Sequence, residues 1–209
     1  MNLELIFRGI FLSVFLSSVV ISGIYRKRAR ESSGVIPRKA EGSTALILRM
    51  IMALVIAVSF FTFVFAPRWL VWSKMELPVW LRVMAAIGAL ACLPAIRWVL
   101  VSIGANISET VLTKQNHQLV THGPYRWIRH PLYAFALLEL LMLALLADSW
   151  FLLTFPIIGF VVFRLIIIPR EEANLVYAFG ERYEAYQRRS GALIPRLQID
   201  VESKREKDA

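Results

Sequence analysis

The densest polar stretch of the chain, residues 117–133, contains the side chains best suited to bind an anionic small molecule. A Gly-Pro pair at 123–124 predicts a turn, and Pro131 suits the first turn of a helix. A helix start presents unpaired backbone N–H groups and the positive end of its dipole, which together favour a ligand carboxylate. Arg126 and Arg129 strengthen that preference, although arginines in such a place are equally typical of anchors at a membrane boundary.

A second polar cluster lies at the end of the last apolar stretch. Arg164 lies inside that stretch, where an ionisable side chain is costly unless it faces a cavity or a partner, so it is a candidate functional residue. The neighbouring Glu171 and Glu172 would point about 100° apart on a helix, so we expect only one of them to enter a pocket. Tyr183 and Tyr186, at positions i and i+3, predict a short amphipathic helix lying against the membrane.

Other kinds of chemistry lack their characteristic residues. His117, His122 and His130 are the only histidines and have no i, i+4 spacing, so no metal site is predicted. There is no glycine-rich phosphate loop and no Ser-His-Asp arrangement for hydrolysis. Cys92 has no partner for an intrachain disulfide. The net charge of +9 comes from short basic clusters that border apolar runs, which indicates membrane topology rather than nucleic-acid binding.

The elements that must position these residues are membrane-spanning helices. The chain is 57% hydrophobic, far more apolar than an ordinary soluble domain, and a span needs roughly 20 mostly apolar residues. Five segments meet or approach that length: 5–25, 44–66, 77–102, 130–147 and 150–169. The last two are separated only by Asp148 and Ser149, which predicts a tight helical hairpin.

The distribution of basic residues predicts how these spans are oriented. Lysines and arginines crowd the connection between the first two segments, whereas the next connection has only Arg68 and Lys74 near its ends. The positive-inside rule therefore places the first connection in the cytoplasm, the N-terminus outside and the C-terminus inside. The first segment has no clear cleavage site, so we expect a retained span and not a signal peptide. Both polar clusters then lie on one membrane face, as a single active site requires.

Several short motifs, taken together and in order, resemble the isoprenylcysteine carboxyl methyltransferase family over roughly residues 100–197. They are His117-Gln118-Leu119-Val120, Gly123-Pro124-Tyr125-Arg126-Trp127, Arg129-His130-Pro131-Leu132-Tyr133, Glu171-Glu172, Phe179-Gly180 with Tyr183 and Tyr186, and Ile194-Pro195. The wider superfamily also holds phospholipid N-methyltransferases, and sterol reductases share a related C-terminal fold.

This resemblance implies a pocket for S-adenosylmethionine, built from the last two spans and the C-terminal region. The residues at the family's cofactor-contacting positions are His117, Gln118, Leu119, Val120, Tyr125, His130, Pro131, Leu132, Tyr133 and Glu171. Catalytic or substrate-orienting roles are expected for Arg164, Arg170 and Glu172. Two residues depart from the family pattern: Ile167 stands where a substrate-orienting arginine is usual, and Phe135 where glycine is favoured.

The predicted fold is an all-α integral membrane protein with about five transmembrane helices and a cytoplasmic C-terminal cofactor-binding region. Residues 1–102 would form a three-span membrane region. Residues 103–197 would form the methyltransferase core, with a cytoplasmic loop, the helical hairpin and the amphipathic helix. Residues 198–209 would form a charged tail.

The predicted function is S-adenosylmethionine-dependent methylation of a prenylcysteine-like carboxylate or another lipophilic substrate that enters from the bilayer. An ionised carboxylate needs alignment more than a base, so Arg164 or Arg170 would position it. An amine acceptor, as in phospholipid N-methylation, must first lose a proton, to Glu172 or a headgroup phosphate. Two alternatives of other classes are an NADPH-dependent sterol-type reductase and a membrane scaffold without activity. Cofactor binding distinguishes these functions: a methyltransferase binds the methyl donor, a reductase binds the nicotinamide cofactor, and a scaffold binds neither.

Overall fold

The structure is a computed structural model that describes residues 3–33, 43–104 and 119–196. In these ranges the chain is helical and contains no β-strand. The α-helices are α1 (Leu3–Ser33), α2 (Ser43–Phe65), α3 (Val79–Ile103), α4 (Pro131–Leu146), α5 (Trp150–Val162), α6 (Ile168–Phe179) and α7 (Glu181–Arg189). Short 3₁₀ helices occupy Pro67–Ser73 and Gly123–Arg126, and a π-helical turn occupies Phe163–Ile167.

Each of the five predicted apolar segments lies on a helix, but not all of these helices are long enough to cross a membrane. Three helices are long and apolar enough to cross a membrane: Leu3–Glu31, Val79–Ile103 and Trp150–Phe179. A fourth candidate is the pair Met50–Phe65 and Pro67–Ser73, which is bent by 106°. The 16 residues of α4 are apolar but fall short of the roughly 20 that a span needs. Three helices are therefore candidate membrane spans, and the total of five stays a prediction.

The helix that contains the last apolar segment, 150–169, extends beyond that segment. It runs from Trp150 to Phe179 through the π-helical turn. In that turn the Ile168 N–H bonds the Phe163 carbonyl, five residues back, immediately before Pro169, which has no N–H to donate. The longer helix carries Glu171 and Glu172 directly beyond the apolar part.

Aromatic side chains of α1 and α2 and small side chains of α3 pack in one apolar core. Phe11 of α1 is fully buried, and its ring lies 4.9 Å from that of Phe60 and 4.8 Å from that of Phe63, both on α2. On α3, Ala85 and Ala89 face the same core, where small side chains let α4 approach closely. The predicted hairpin between α4 and α5 is present.

A buried arginine joins three helices at the end of the bundle where α1 begins. The Arg82 guanidinium of α3, 5% exposed, forms two hydrogen bonds of 2.6 and 2.9 Å with the carboxylate of Glu4 on α1. Its Nε donates to the carbonyl of Leu146, the last residue of α4. This arrangement satisfies a carbonyl that the end of α4 would leave unpaired. It also fixes α4, whose opposite end carries the polar cluster.

Candidate functional site

The start of α4 is held by the chain that follows α7. The helix begins at Pro131, as predicted, with His130 as its N-cap. The His130 N–H donates to the Ala192 carbonyl and the Arg129 N–H to the Gly191 carbonyl, at 3.0 and 2.8 Å. A Cβ at position 191 would lie 1.8 Å from the Ile194 carbonyl oxygen, so only glycine allows the backbone to pass there. Backbone pairing therefore brings the two predicted polar clusters together.

His130 lies between two consecutive carboxylates of α6. Its Nδ1 is 3.2 Å from Glu171 Oε2, and its Nε2 is 3.2 Å from Glu172 Oε1. Burial of the imidazole disfavours its charged form, but hydrogen bonds to both carboxylates outweigh burial and raise the pKa of His130. The expectation that only one of the two carboxylates would point toward the site is wrong for their orientation, because the two nitrogens of one ring contact both.

Glu172 is tied to the protein through both of its oxygens. Arg129 Nε donates to its Oε1 at 2.7 Å, and Gln187 Nε2 of α7 donates to its Oε2 at 3.0 Å. Arg129 also donates to the backbone carbonyls of Gln187 and Ser190. The arrangement clamps α7 onto α6 and leaves Glu172 poorly placed to accept a proton from a substrate.

Glu171 is the more open of the two carboxylates and lies beside an aromatic stack. The Tyr133 hydroxyl donates to its Oε1 at 2.9 Å, and 22% of the Glu171 side chain is exposed. The Tyr133 ring lies nearly parallel to the Phe163 ring at 4.4 Å and to the His130 ring at 5.8 Å. The π-helical turn carries Phe163, so it sets one wall of the site.

The other predicted cofactor residues surround this centre less closely. Tyr125 is buried in the 3₁₀ turn, where its carbonyl accepts from the Tyr186 hydroxyl at 2.6 Å. Leu132 packs with Phe135 against the apolar cluster of α3, so its side chain contributes to the bundle. Leu119 and Val120 are half-buried. The predicted residues His117 and Gln118 lie outside the described residues.

The two predicted substrate-orienting arginines are not part of the cluster. Arg164 lies in the π-helical turn and Arg170 near the start of α6, and both are exposed. In the described ranges, neither forms an ion pair with Glu171 or Glu172. The carboxylates that surround His130 therefore do not neutralise the charges of these two arginines.

Sequence reasoning misplaced the tyrosines of α7. Tyr183 and Tyr186 are 1% and 2% exposed. The prediction that the helix face carrying these tyrosines lies against the membrane is therefore wrong. The i, i+3 spacing indicates which residues share a face but not what covers that face, which here is protein. Gln187 was missed entirely, because a lone glutamine on a charged helix gives no signal. Arg129 was predicted to favour an anionic ligand or to anchor the membrane boundary, and its contact with Glu172 was not predicted.

The described residues suit a ligand with hydroxyl or ammonium groups. Glu171 keeps an exposed fraction for such groups, and the rings of Tyr133 and Phe163 provide an adjacent aromatic face. The buried Tyr183 hydroxyl has no hydrogen-bond partner within the described part of the chain. S-adenosylmethionine carries ribose hydroxyls, an ammonium and a sulfonium, and the residues present fit these groups.

The sequence around the site matches a known family. Residues 83–177, which include all of α4 and most of α6, match the sequence profile of the isoprenylcysteine carboxyl methyltransferase family. This part of the chain is similar to that family. The site around His130 and Glu171 therefore lies within the region of sequence match. The family match and the apolar helices identify an integral membrane protein.

Individual relatives agree with the family match. The chain is 36% identical over 99 residues to the protein-S-isoprenylcysteine O-methyltransferase of Schizosaccharomyces pombe, covering 46% of this chain and 42% of that protein. It is 36% identical over 86 residues to the cobalt-zinc-cadmium resistance protein CzcN of Cupriavidus metallidurans, covering 41% of this chain and 39% of that protein. The matches thus span less than half the length of these curated relatives.

A solved structure has the same fold. The structure of the eukaryotic intramembrane Ras methyltransferase, an isoprenylcysteine carboxyl methyltransferase, superposes with a TM-score of 0.55. The comparison covers 89% of this chain and 67% of that chain, at 20% sequence identity. At this identity the likeness concerns the fold, which extends beyond the region of family sequence match.

Proposed function

We propose that this protein is an S-adenosylmethionine-dependent methyltransferase of the membrane, acting on a lipophilic acceptor. The observation that supports the proposal most is the contact of His130 and Tyr133, at the start of α4, with Glu171 of α6. All three residues lie inside the region of family match, and the resemblance of the sequence implies that they contact the cofactor. The proposed orientation keeps this end of the bundle in the cytoplasm, with the N-terminus outside.

Glu171 is the proposed anchor of the cofactor. Its carboxylate is held in place by Tyr133 and His130 and remains partly exposed, so it can accept from ribose hydroxyls or an ammonium. The face of Tyr133 is proposed to lie against the positive sulfonium side, where an aromatic ring is favourable. The bound cofactor supplies an electrophilic methyl group on sulfur. The protein supplies orientation and a site with restricted access to water.

The hydrogen bonds that Glu172 accepts favour a methyl acceptor that is already nucleophilic. Both of its oxygens accept hydrogen bonds from Arg129, Gln187 and His130, so the base that an amine acceptor would need is engaged elsewhere. A carboxylate is ionised at neutral pH and needs only alignment with the methyl group. We therefore favour carboxyl O-methylation of a prenylcysteine-like or similar lipophilic acid over phospholipid N-methylation.

Arg164 and Arg170 are the proposed attachment points for the acceptor carboxylate. Ile167 leaves the usual arginine position without a charge, and these two exposed arginines lie on either side of it along the helix. An acceptor with a long apolar tail would remain in the hydrocarbon while its carboxylate meets one of these guanidinium groups. Residues 1–102 are proposed to complete the membrane bundle, and residues 103–197 to provide the cofactor site.

The test is calorimetric titration of the detergent-purified protein with S-adenosylhomocysteine, the demethylated cofactor. We expect micromolar binding that Glu171→Ala abolishes, because the substitution removes the proposed anchor. Glu184→Ala is the matched control, since Glu184 is an exposed carboxylate on α7, and it should leave binding unchanged. Binding of NADPH alone would favour the reductase alternative, and binding of neither would favour the scaffold.

A further inference from the structure

Tyr183 is an exception among the buried polar residues of the site. Its side chain is 1% exposed, and its hydroxyl has no hydrogen-bond partner in the residues that the structure describes. Tyr186, one turn later on α7, is equally buried, but its hydroxyl donates to the Tyr125 carbonyl at 2.6 Å. Two tyrosines on the same helix face thus differ in whether the protein provides an acceptor.

The surroundings of Tyr183 are those of the proposed cofactor site. Tyr183 lies one turn before Gln187 on α7, and Gln187 Nε2 donates to Glu172 Oε2 at 3.0 Å, so this face of α7 lies beside the carboxylates of the site. Burial raises the pKa of Tyr183 most, Glu172 raises it further, and Arg129 opposes the shift. The phenol is therefore neutral at physiological pH, so it keeps its proton and can act as a hydrogen-bond donor.

A buried hydroxyl without a partner is unfavourable, because it loses its hydrogen bonds to water on folding. Phenylalanine would fill the same volume at this position without that loss. The ring of Tyr183 already packs against that of Tyr186, with centroids 5.9 Å apart, so packing does not require the oxygen. The hydroxyl is thus best explained by an acceptor that arrives from outside the chain.

We propose that the Tyr183 hydroxyl donates a hydrogen bond to an acceptor atom of the bound S-adenosyl cofactor. This inference rests on the proposed function and adds a binding residue from α7 to the residues of α4 and α6. Because the phenol gains its partner only on binding, it contributes to ligand affinity and not to the stability of the free protein. The position of α7, set by Arg129 and Gln187, becomes part of cofactor recognition.

The experiment is titration of Tyr183→Phe with S-adenosylhomocysteine, together with thermal unfolding of the ligand-free protein. We expect affinity to fall roughly 5- to 10-fold, as for the loss of one hydrogen bond. The Tm of the ligand-free variant should be unchanged or higher, because the unpaired hydroxyl is gone. Tyr186→Phe is the matched control, and its ligand-free Tm should fall, since it removes the donor to a buried carbonyl.

The outcomes separate this inference from the proposed function. If the unmodified protein does not bind S-adenosylhomocysteine, both fail. If it binds, and Tyr183→Phe binds equally well, only the role of Tyr183 is wrong. A Tm loss in Tyr183→Phe as large as that in Tyr186→Phe would also overturn the inference, because it would reveal a partner within the protein.

Discussion

The Tyr133 hydroxyl donates a hydrogen bond of 2.9 Å to Glu171 Oε1, joining the first turn of α4 to the first turn of α6. The two residues are 38 positions apart, and the α4–α5 hairpin separates them in sequence. The hairpin carries the chain along the bundle and back, so the start of one apolar helix meets the polar extension of the other. The contact fixes the rotamer of the proposed cofactor anchor.

Removing that hydroxyl should weaken cofactor binding while keeping the aromatic stack. Tyr133→Phe retains the ring beside Phe163, so we expect affinity for S-adenosylhomocysteine to fall by roughly 3- to 10-fold, as for one lost hydrogen bond. Titration calorimetry measures the change. Tyr177→Phe serves as control, because the Tyr177 side chain is 95% exposed on α6. Unchanged affinity in Tyr133→Phe would contradict a role for this bond in orienting Glu171.

The pairing of Glu172 with Arg129 should matter mainly for stability. Glu172→Ala leaves a mostly buried guanidinium without its carboxylate and removes the bond to Gln187, which should cost about 2–3 kcal/mol. Denaturant unfolding in detergent measures the loss. Glu172→Gln keeps an acceptor and should lose less, and the exposed Glu184→Ala should change little. Equal stability of Glu172→Ala and Glu184→Ala would show that the clamp does not hold α7.

The carboxylates around His130 make stability depend on pH. Its pKa is raised in the folded protein, so folding favours the protonated imidazole. The stabilisation is fully present below the unfolded pKa of about 6.5 and is lost as pH rises through the higher folded pKa. We expect the Tm advantage of the unmodified protein over His130→Gln to shrink as pH rises above about 6.5. A constant or growing advantage would contradict this assignment.

The arginine that holds the acceptor should be separable from cofactor binding. Arg164→Met and Arg170→Met are made individually, with the exposed Arg182→Met of α7 as control. For the arginine that contacts the acceptor, we expect KM for a lipophilic carboxylate to rise roughly 5- to 10-fold, with unchanged affinity for S-adenosylhomocysteine. Steady-state kinetics with a prenylcysteine analogue measures KM. If neither variant raises KM, the proposed carboxylate contact is wrong.

The sequence alone was enough to determine the helices and the start of the site. Hydropathy and turn residues are local properties, so the apolar segments, the hairpin at Asp148 and the start of α4 at Pro131 could all be predicted. The order of short motifs likewise indicated the family. Hydropathy delimits only the apolar segment 150–169, so it could not show that the helix continues to Phe179 through a π-helical turn.

Only the tertiary structure decided which polar residues meet and what each can do. Whether Glu171 or Glu172 is open depends on Arg129 and Gln187, which come from segments on either side of the hairpin. The buried state of Tyr183 depends on protein covering α7, which a helical period cannot reveal. Such contacts join residues tens of positions apart, and their energies depend on burial and on the other donors present, so neither residue type nor spacing specifies them.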